Sequence, residues 1–289
     1  MTSATRKTAF VLAGGGSLGA VQVGMLKALN REQIRPDFVV GASVGAINAA
    51  YYAAAPDESG IARLEQIWMN LRRTDIFPFS ALGTLLCLLG RRDHFTVPLS
   101  LRTLIASQLP YKRLEDAPLP CHVVATDALD GTEVILSSGD VEEALLASAA
   151  IPAVFPRVTI AGQALIDGCV SSSTPICAAV ALGATRLVII PTGTPCVLQA
   201  PPRGALALVM HALNLMAMSR LLADVDRFAD RCELIVVPPL CPLAVNTYDF
   251  SQTGDLIRRA EAATLHWLEG GLQNKDPHHA LAPHHHRSD

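Results

Sequence analysis

Short apolar runs alternating with helical patterns constrain this chain more than any other feature. The runs lie at 8–13, 38–40, 121–126, 185–191 and 232–237. Between and after them, apolar residues recur at helical spacing over 20–31, 46–55, 61–71, 99–109, 141–150, 175–181, 205–230 and 253–272. Apolar runs of this length suit strands buried on both faces. A strand, a helix and a further strand close most simply as a parallel pair, and a parallel sheet needs helices over both of its faces. The expected class is α/β with a mostly parallel sheet. Two local exceptions read as antiparallel: Asp130-Gly131 is a turn signal between 121–126 and 132–137, and Ala161-Gly162 centres a hairpin of 157–160 with 163–166.

The most informative single stretch is 37–51. Its strand 38–40 runs into Gly41-Ala-Ser43-Val-Gly45, a Gly-x-Ser-x-Gly pattern, and then into helix formers from Ala46. Strand, tight turn, serine and helix are the context of a nucleophile elbow. The start of the helix directs unpaired N–H groups and the positive end of its dipole toward Ser43. The same glycines would also serve a purely steric turn, so the pentapeptide needs its neighbours to decide it.

The first neighbour is Gly14-Gly15-Gly16-Ser-Leu-Gly19, between the first strand and the first helix. Three readings compete for it. Gly14, Gly16 and Gly19 fit a dinucleotide fingerprint, but no acid ends the second strand to hold a ribose, since Asp37 precedes that strand. A second reading assigns the glycines to close strand–helix packing. Alternatively, the backbone N–H groups of this loop form an oxyanion hole beside Ser43, because adjacent parallel strands bring their carboxyl ends together. The second neighbour is Asp167-Gly168-Cys169, an acid at the exit of an apolar strand, where it is either a turn or cap residue or a base.

Composition narrows the partners. Half of the 289 residues are hydrophobic, 17% are charged and the net charge is −3, which supports a large core and gives no case for nucleic acid. The seven cysteines, at 87, 121, 169, 177, 196, 232 and 241, form no Cys-x-x-Cys pair. They read as thiols of a reducing compartment rather than a metal site or disulfide framework. The N-terminus leads directly into a strand, and no apolar run spans a bilayer. A cytoplasmic protein is expected, with peripheral membrane contact through the leucine-rich stretch 77–92 as a candidate lid or interfacial segment. The methionines at 210, 216 and 218 read as core filler on the long helix.

Taken together, 12–19, 36–50, Ala125-Thr-Asp127, 147–156 and Leu165-Ile-Asp-Gly168 followed by Thr174-Pro175 make the chain resemble the patatin-like phospholipases over nearly all of 8–240. The resemblance implies a three-layer α/β/α sandwich and a Ser43–Asp167 dyad without histidine. It also implies an oxyanion held by Gly14, Gly15 and Gly16, with Gly19, Gly41, Gly45 and Gly168 supporting the motifs. Lipid acyl-ester hydrolysis through an acyl-serine follows, with no cofactor or metal and a lipid or ester as substrate. None of the histidines at 94, 122, 211 and 266 has a catalytic context, in keeping with a dyad. Two departures stand out: Leu18 replaces a frequent Arg or Lys, which favours a neutral lipid or simple ester, and Cys169 replaces a glycine or alanine. The implied organisation is a lead at 1–7, a catalytic domain at 8–272 and a disordered His/Pro-rich tail at 273–289. An acyltransferase on the same dyad and a non-catalytic lipid-binding protein are the alternatives.

Overall fold

In the computed structural model, described for residues 6–76, 91, 93–193, 204–241, 243, 248–272 and 276–282, the apolar runs become the strands of one eight-stranded sheet. The strands are β1 (Thr8–Leu12), β2 (Phe38–Ala42), β3 (Cys121–Asp127), β4 (Glu133–Leu136), β5 (Val158–Ile160), β6 (Gln163–Asp167), β7 (Arg186–Ile190) and β8 (Glu233–Val236). Along the sheet the order is β5-β6-β3-β2-β1-β7-β8, with β4 also paired to β3. From β3 to β8 the neighbours are parallel, whereas β4 and β6 run antiparallel to β3, and β5 antiparallel to β6. The hairpin turns at Ala161 and Gly162, which both take the positive φ of a two-residue turn.

The helices are α1 (Gly19–Arg31), α2 (Val44–Ala54), α3 (Glu58–Asn70), α4 (Arg73–Ile76), α5 (Leu99–Gln108), α6 (Val141–Ser148), α7 (Cys169–Ser172), α8 (Ile176–Ala181), α9 (Ala205–Phe228), α10 (Thr253–Glu269) and α11 (Pro277–Leu281). Two separate cores lie on the two faces of the sheet, as a doubly covered parallel sheet requires. One joins Phe10, Leu12, Val39 and Val188 to α1, α2, α3 and α10; the other joins Val11, Val40 and Ile189 to α8 and the second half of α9. The three-layer α/β/α architecture expected from the sequence is therefore present.

Topology places the strand ends that matter. Val123–Thr126 of β3 pair with β4 on one edge, so β2, opposite 121–124, and β6, opposite 125–127, must share the other. The β6 strand thus takes over the edge where β2 stops. Ala42 sits opposite Val124 and Asp167 opposite Ala125, which brings the end of β6 to the residue that follows β2.

Some expectations change. Of the methionines read as core filler, Met218 packs against the second core, Met216 is exposed, and the side chain of Met210 lies outside those described; the described α9 side chains buried against the sheet belong to its second half. Within the segment read as a disordered tail, Pro277–Leu281 is helical: Asp276 caps it by accepting the His278 N–H, and Leu281 is buried against the second core. Cys121, Cys169, Cys177 and Cys232 are free thiols, but Cys241 is disulfide-bonded to a partner outside the described residues. Wide spacing in sequence says nothing about such a pairing, which depends on two Cα atoms meeting in space. The candidate lid, 77–92, lies outside the described residues apart from Arg91.

The crossing of α1 and α10 depends on one glycine. A Cβ on Gly24 of α1 would lie 2.2 Å from the Ile257 carbonyl oxygen and 2.7 Å from the Glu261 nitrogen of α10. Backbone atoms cannot yield as a side-chain tip can, so Gly24→Val is expected to cost about 1–3 kcal/mol. Urea unfolding should read this as a lower midpoint, while Gly193→Ala, with nothing within 4 Å of its Cβ, stays within about 0.5 kcal/mol of the parent.

Candidate active site

Ser43 closes β2 at φ 53 and ψ −127, outside the regions an L-residue ordinarily occupies. The turn is held from both sides. A Cβ on Gly41 would lie 2.4 Å from the Gly45 carbonyl group, and one on Gly45 would lie 2.3 Å from the Leu12 carbonyl oxygen. The elbow is therefore packed backbone to backbone against itself and against β1, so both positions need glycine for space. Its amide is also fixed: Ser43 N donates to Ser148 Oγ at 2.8 Å, and Ser148 Oγ donates to Val124 O at 2.6 Å. The first N–H groups of α2 fold over Ser43, with Ala46 and Ile47 donating to its carbonyl.

Asp167 meets this serine. Ser43 Oγ donates to Asp167 Oδ2 at 2.8 Å, and Cys169 N donates to Asp167 Oδ1 at 2.8 Å, so both carboxylate oxygens have a partner. The backbone around the acid is pinned as well. Asp167 N donates to Ala150 O, Gly168 N to Ser148 O and Thr126 Oγ1 to Asp167 O. Ser148 thus bonds the serine turn through its hydroxyl and the acid turn through its carbonyl. Asp167 is 3% exposed and Ser43 7%. Burial pushes the Asp167 carboxyl up to about 6, while the bonds from Cys169 and Ser43 oppose the rise.

The glycine loop stands beside the pair. A Cβ on Gly14 would lie 2.1 Å from Cys169 Sγ and 3.2 Å from Ser43 Cβ, so the loop backbone occupies the space beside Ser43 and Cys169. The three expected donors are not equivalent. Gly14 N is committed to Ser173 O at 2.9 Å, whereas the N–H groups of Gly15 and Gly16 have no acceptor among the described residues. Thr192 Oγ1 donates to Gly14 O and braces the loop. Burial holds the Cys169 thiol well above its ordinary range, the nearby Asp167 charge adding to the effect. It fills space as a protonated side chain.

Sequence reasoning missed the support behind the loop. Gln22 Nε2 donates to Ala13 O and Ile190 O; Asn48 Nδ2 donates to Gln22 Oε1 and Gly19 O; Trp68 Nε1 donates to Asn48 Oδ1. These buried side chains tie β1, β7, α1, α2 and α3 together directly beneath Gly14–Gly19. Ser148, Thr126 and Asn48 lie in stretches that carry the family resemblance, but nothing in their spacing announces a brace. The side chain of Leu18 packs into the core, so the residue at this position does not face Ser43 and Asp167.

Two of the described histidines have partners away from this pair. His122 bonds Ser137 Oγ and stands edge-on to Phe38, and His94 bonds Asp93. Beyond Ser43 and Gly16 opens an apolar pocket of about 650 Å³, its mouth included. Its walls come from Ile47 and Tyr51 of α2, Leu64, Ile67 and Trp68 of α3, Leu101 and Leu104 of α5, and Phe155 and Phe250. No charged side chain lines it among the described residues.

The chain is similar to several known proteins. The structure is similar to VipD from Legionella pneumophila, with a TM-score of 0.47 and 15% identity, over 92% of this chain and 67% of that one. A patatin-like phospholipase domain-containing protein of Caenorhabditis elegans is 25% identical over 193 residues, which cover 63% of this chain and 16% of that protein. An uncharacterised NTE family protein of Mycobacterium tuberculosis (strain CDC 1551 / Oshkosh) is 30% identical over 175 residues, 60% of this chain and 28% of its own length. The chain therefore spans less than a third of either relative. The family model described as patatin-like phospholipase matches residues 10–180, from β1 through the elbow, the Asp167 turn and α8. With more than half of its length under that match, this chain belongs to the patatin-like phospholipase family.

Proposed function

We propose that the protein is a serine lipid acyl hydrolase that works through a Ser43–Asp167 dyad. The observation that carries this reading is the 2.8 Å hydrogen bond from Ser43 Oγ to a buried Asp167 carboxylate. In the first step Asp167 takes the Oγ proton as Oγ attacks the ester carbonyl carbon. The oxyanion that forms accepts hydrogen bonds from Gly15 and Gly16, aided by the N-terminal end of α2. Asp167 then returns the proton to the departing alcohol, leaving an acyl-serine. Water attacks this ester with Asp167 again as base, and collapse restores the serine and releases the fatty acid.

The environment of the acid suits the task. A carboxylate at its ordinary pKa is a feeble base, and raising it to about 6 strengthens it while keeping it mostly ionised at neutral pH. The apolar pocket suits an acyl chain and offers no cation to a phosphate, which favours a neutral lipid or simple ester over a charged headgroup.

A fluorophosphonate probe is expected to label Ser43, and Ser43→Ala and Asp167→Asn should each abolish hydrolysis of p-nitrophenyl esters. Full activity in either variant would sink the dyad. In the wild-type protein kcat/KM should rise with pH through an apparent pKa near 6, the value held by the free enzyme's carboxyl.

Stability should move the other way. A carboxyl whose folded pKa is raised contributes most to stability below its unfolded value and loses that contribution as pH climbs through the folded value. Between about pH 4 and 6 the wild-type protein should therefore lose stability on this account, on the order of 3 kcal/mol for a shift of about two units. Asp167→Asn, though inactive, is expected to unfold at higher urea concentration than wild type at pH 8, with the gain gone at pH 4. Equal midpoints at pH 8 would refute the buried-charge account.

A further inference from the structure

The α9 helix is longer than the sheet it covers. Its 24 residues measure about 36 Å, whereas the five residues of β7 rise about 17 Å. The lower end is fixed by topology. Only 229–232 separate α9 from β8, whose first residue, Glu233, pairs with Arg186 at the start of parallel β7. Phe228 therefore lies at the amino end of the strands. Leu221, Val225 and Phe228 are buried in the second core, and Asp224 faces Cys177 and Arg220. That half of the helix accounts for the height of the sheet. The first half, about 20 Å of it, extends past the carboxyl ends of the strands, the end that carries Gly14–Gly16 and Ser43.

Four large apolar side chains of this projecting half are exposed. Leu208, Leu213, Leu215 and Met216 expose 53%, 50%, 58% and 67% of their surface. The sequence from Ala205 to Ser219 contains no Asp, Glu, Lys or Arg, and His211 is its one titratable residue. A further apolar side chain lies at the same end: Leu129, in the turn that follows β3 and flanked there by Asp127 and Asp130, is 89% exposed. Exposed large apolar groups with no charges among them mark an interaction surface rather than ordinary solvated helix. A protein partner would ordinarily be selected by charged and polar groups around an apolar centre, and this half-helix supplies only Asn214, Ser219 and His211.

We propose that the first half of α9 docks on a lipid surface and brings the Ser43 site against it. This rests on the lipid-ester reading above, since a substrate held in a membrane must be met at the end of the molecule where Ser43 opens. The helix lies in the interface and does not cross it; no helix among the described residues is long and apolar enough to span a membrane. With no lysine or arginine in 205–219, burial of apolar surface drives the attachment, so it needs no anionic lipid and resists salt.

The test is flotation of the full chain with vesicles of pure phosphatidylcholine, beside a triple variant, Leu213→Glu, Leu215→Glu and Met216→Glu. Wild type should float with the vesicles, and raising NaCl from 50 to 500 mM should change the bound fraction less than twofold. The variant should lose at least tenfold in binding and in hydrolysis of vesicle lipid. Its turnover of dissolved p-nitrophenyl butyrate should match wild type within twofold, which also reports an intact fold. Three results would overturn the proposal: no flotation of wild type, binding that requires anionic lipid and disappears in salt, or flotation of the variant equal to wild type. So would a wild-type dimer in light scattering that the variant dissociates, because a second copy would then cover the face. Absence of butyrate turnover in wild type would instead count against the Ser43–Asp167 reading and leave the flotation result standing on its own.

Discussion

The hydrogen bond between Ser43 and Asp167 depends on a sheet edge shared by two strands. Because β2 ends where β6 begins to pair with β3, a serine from one and an acid from the other arrive at the same place from opposite directions. Neither partner is comfortable there. A non-glycine residue at positive φ typically costs on the order of 1–3 kcal/mol, and an ionised carboxyl with 3% exposure is costly to bury. The surroundings over-determine both. Glycines at 41 and 45 let the elbow close on itself and on β1, and Ser148 anchors the serine turn and the acid turn at once.

The glycine loop beside Ser43 and Asp167 is held as firmly. Gln22, Asn48 and Trp68 are buried polar or amphipathic side chains whose hydrogen bonds are satisfied by each other and by backbone carbonyls on β1, α1 and β7. A fully paired network of this kind fixes one geometry, since leaving any member unpaired in the interior is expensive. With Gly14 N committed to Ser173 O, the amides of Gly15 and Gly16 remain available. In the dyad reading, hydrolysis by a carboxylate rather than an imidazole leans heavily on such fixed donors.

Around this fixed centre the apolar surfaces are arranged asymmetrically. The pocket opens from Ser43 on the side of α2, α3 and α5, and α9 extends its apolar half from the opposite layer toward the same end of the sheet. The charged surface pairs, such as Arg102 with Glu142 and Glu143 and Lys27 with Glu65 and Glu261, tie the covering helices to one another. The Ser43–Asp167 pair and the two apolar surfaces thus lie toward one end of the sheet.

Much of this was legible in the sequence, because local patterns carry it. Alternating strand and helix runs determined the layered sheet, and glycine spacing around Ser43 and at Gly14–Gly16 marked the sharp turns at two neighbouring strand ends. Asp167 stood out as an acid leaving an apolar strand. Tertiary structure alone decided the rest. That Asp167 reaches Ser43 depends on which edge of β3 receives β6, a choice made by non-local pairing. The commitment of Gly14 N to Ser173, the bracing by Ser148 and Gln22, and the disulfide at Cys241 likewise join positions far apart in the chain. The outward face of α9 escaped notice for a related reason. Helical periodicity shows that leucines and methionines can line a face, but whether the sheet is tall enough to cover that face is a property of the assembled layers.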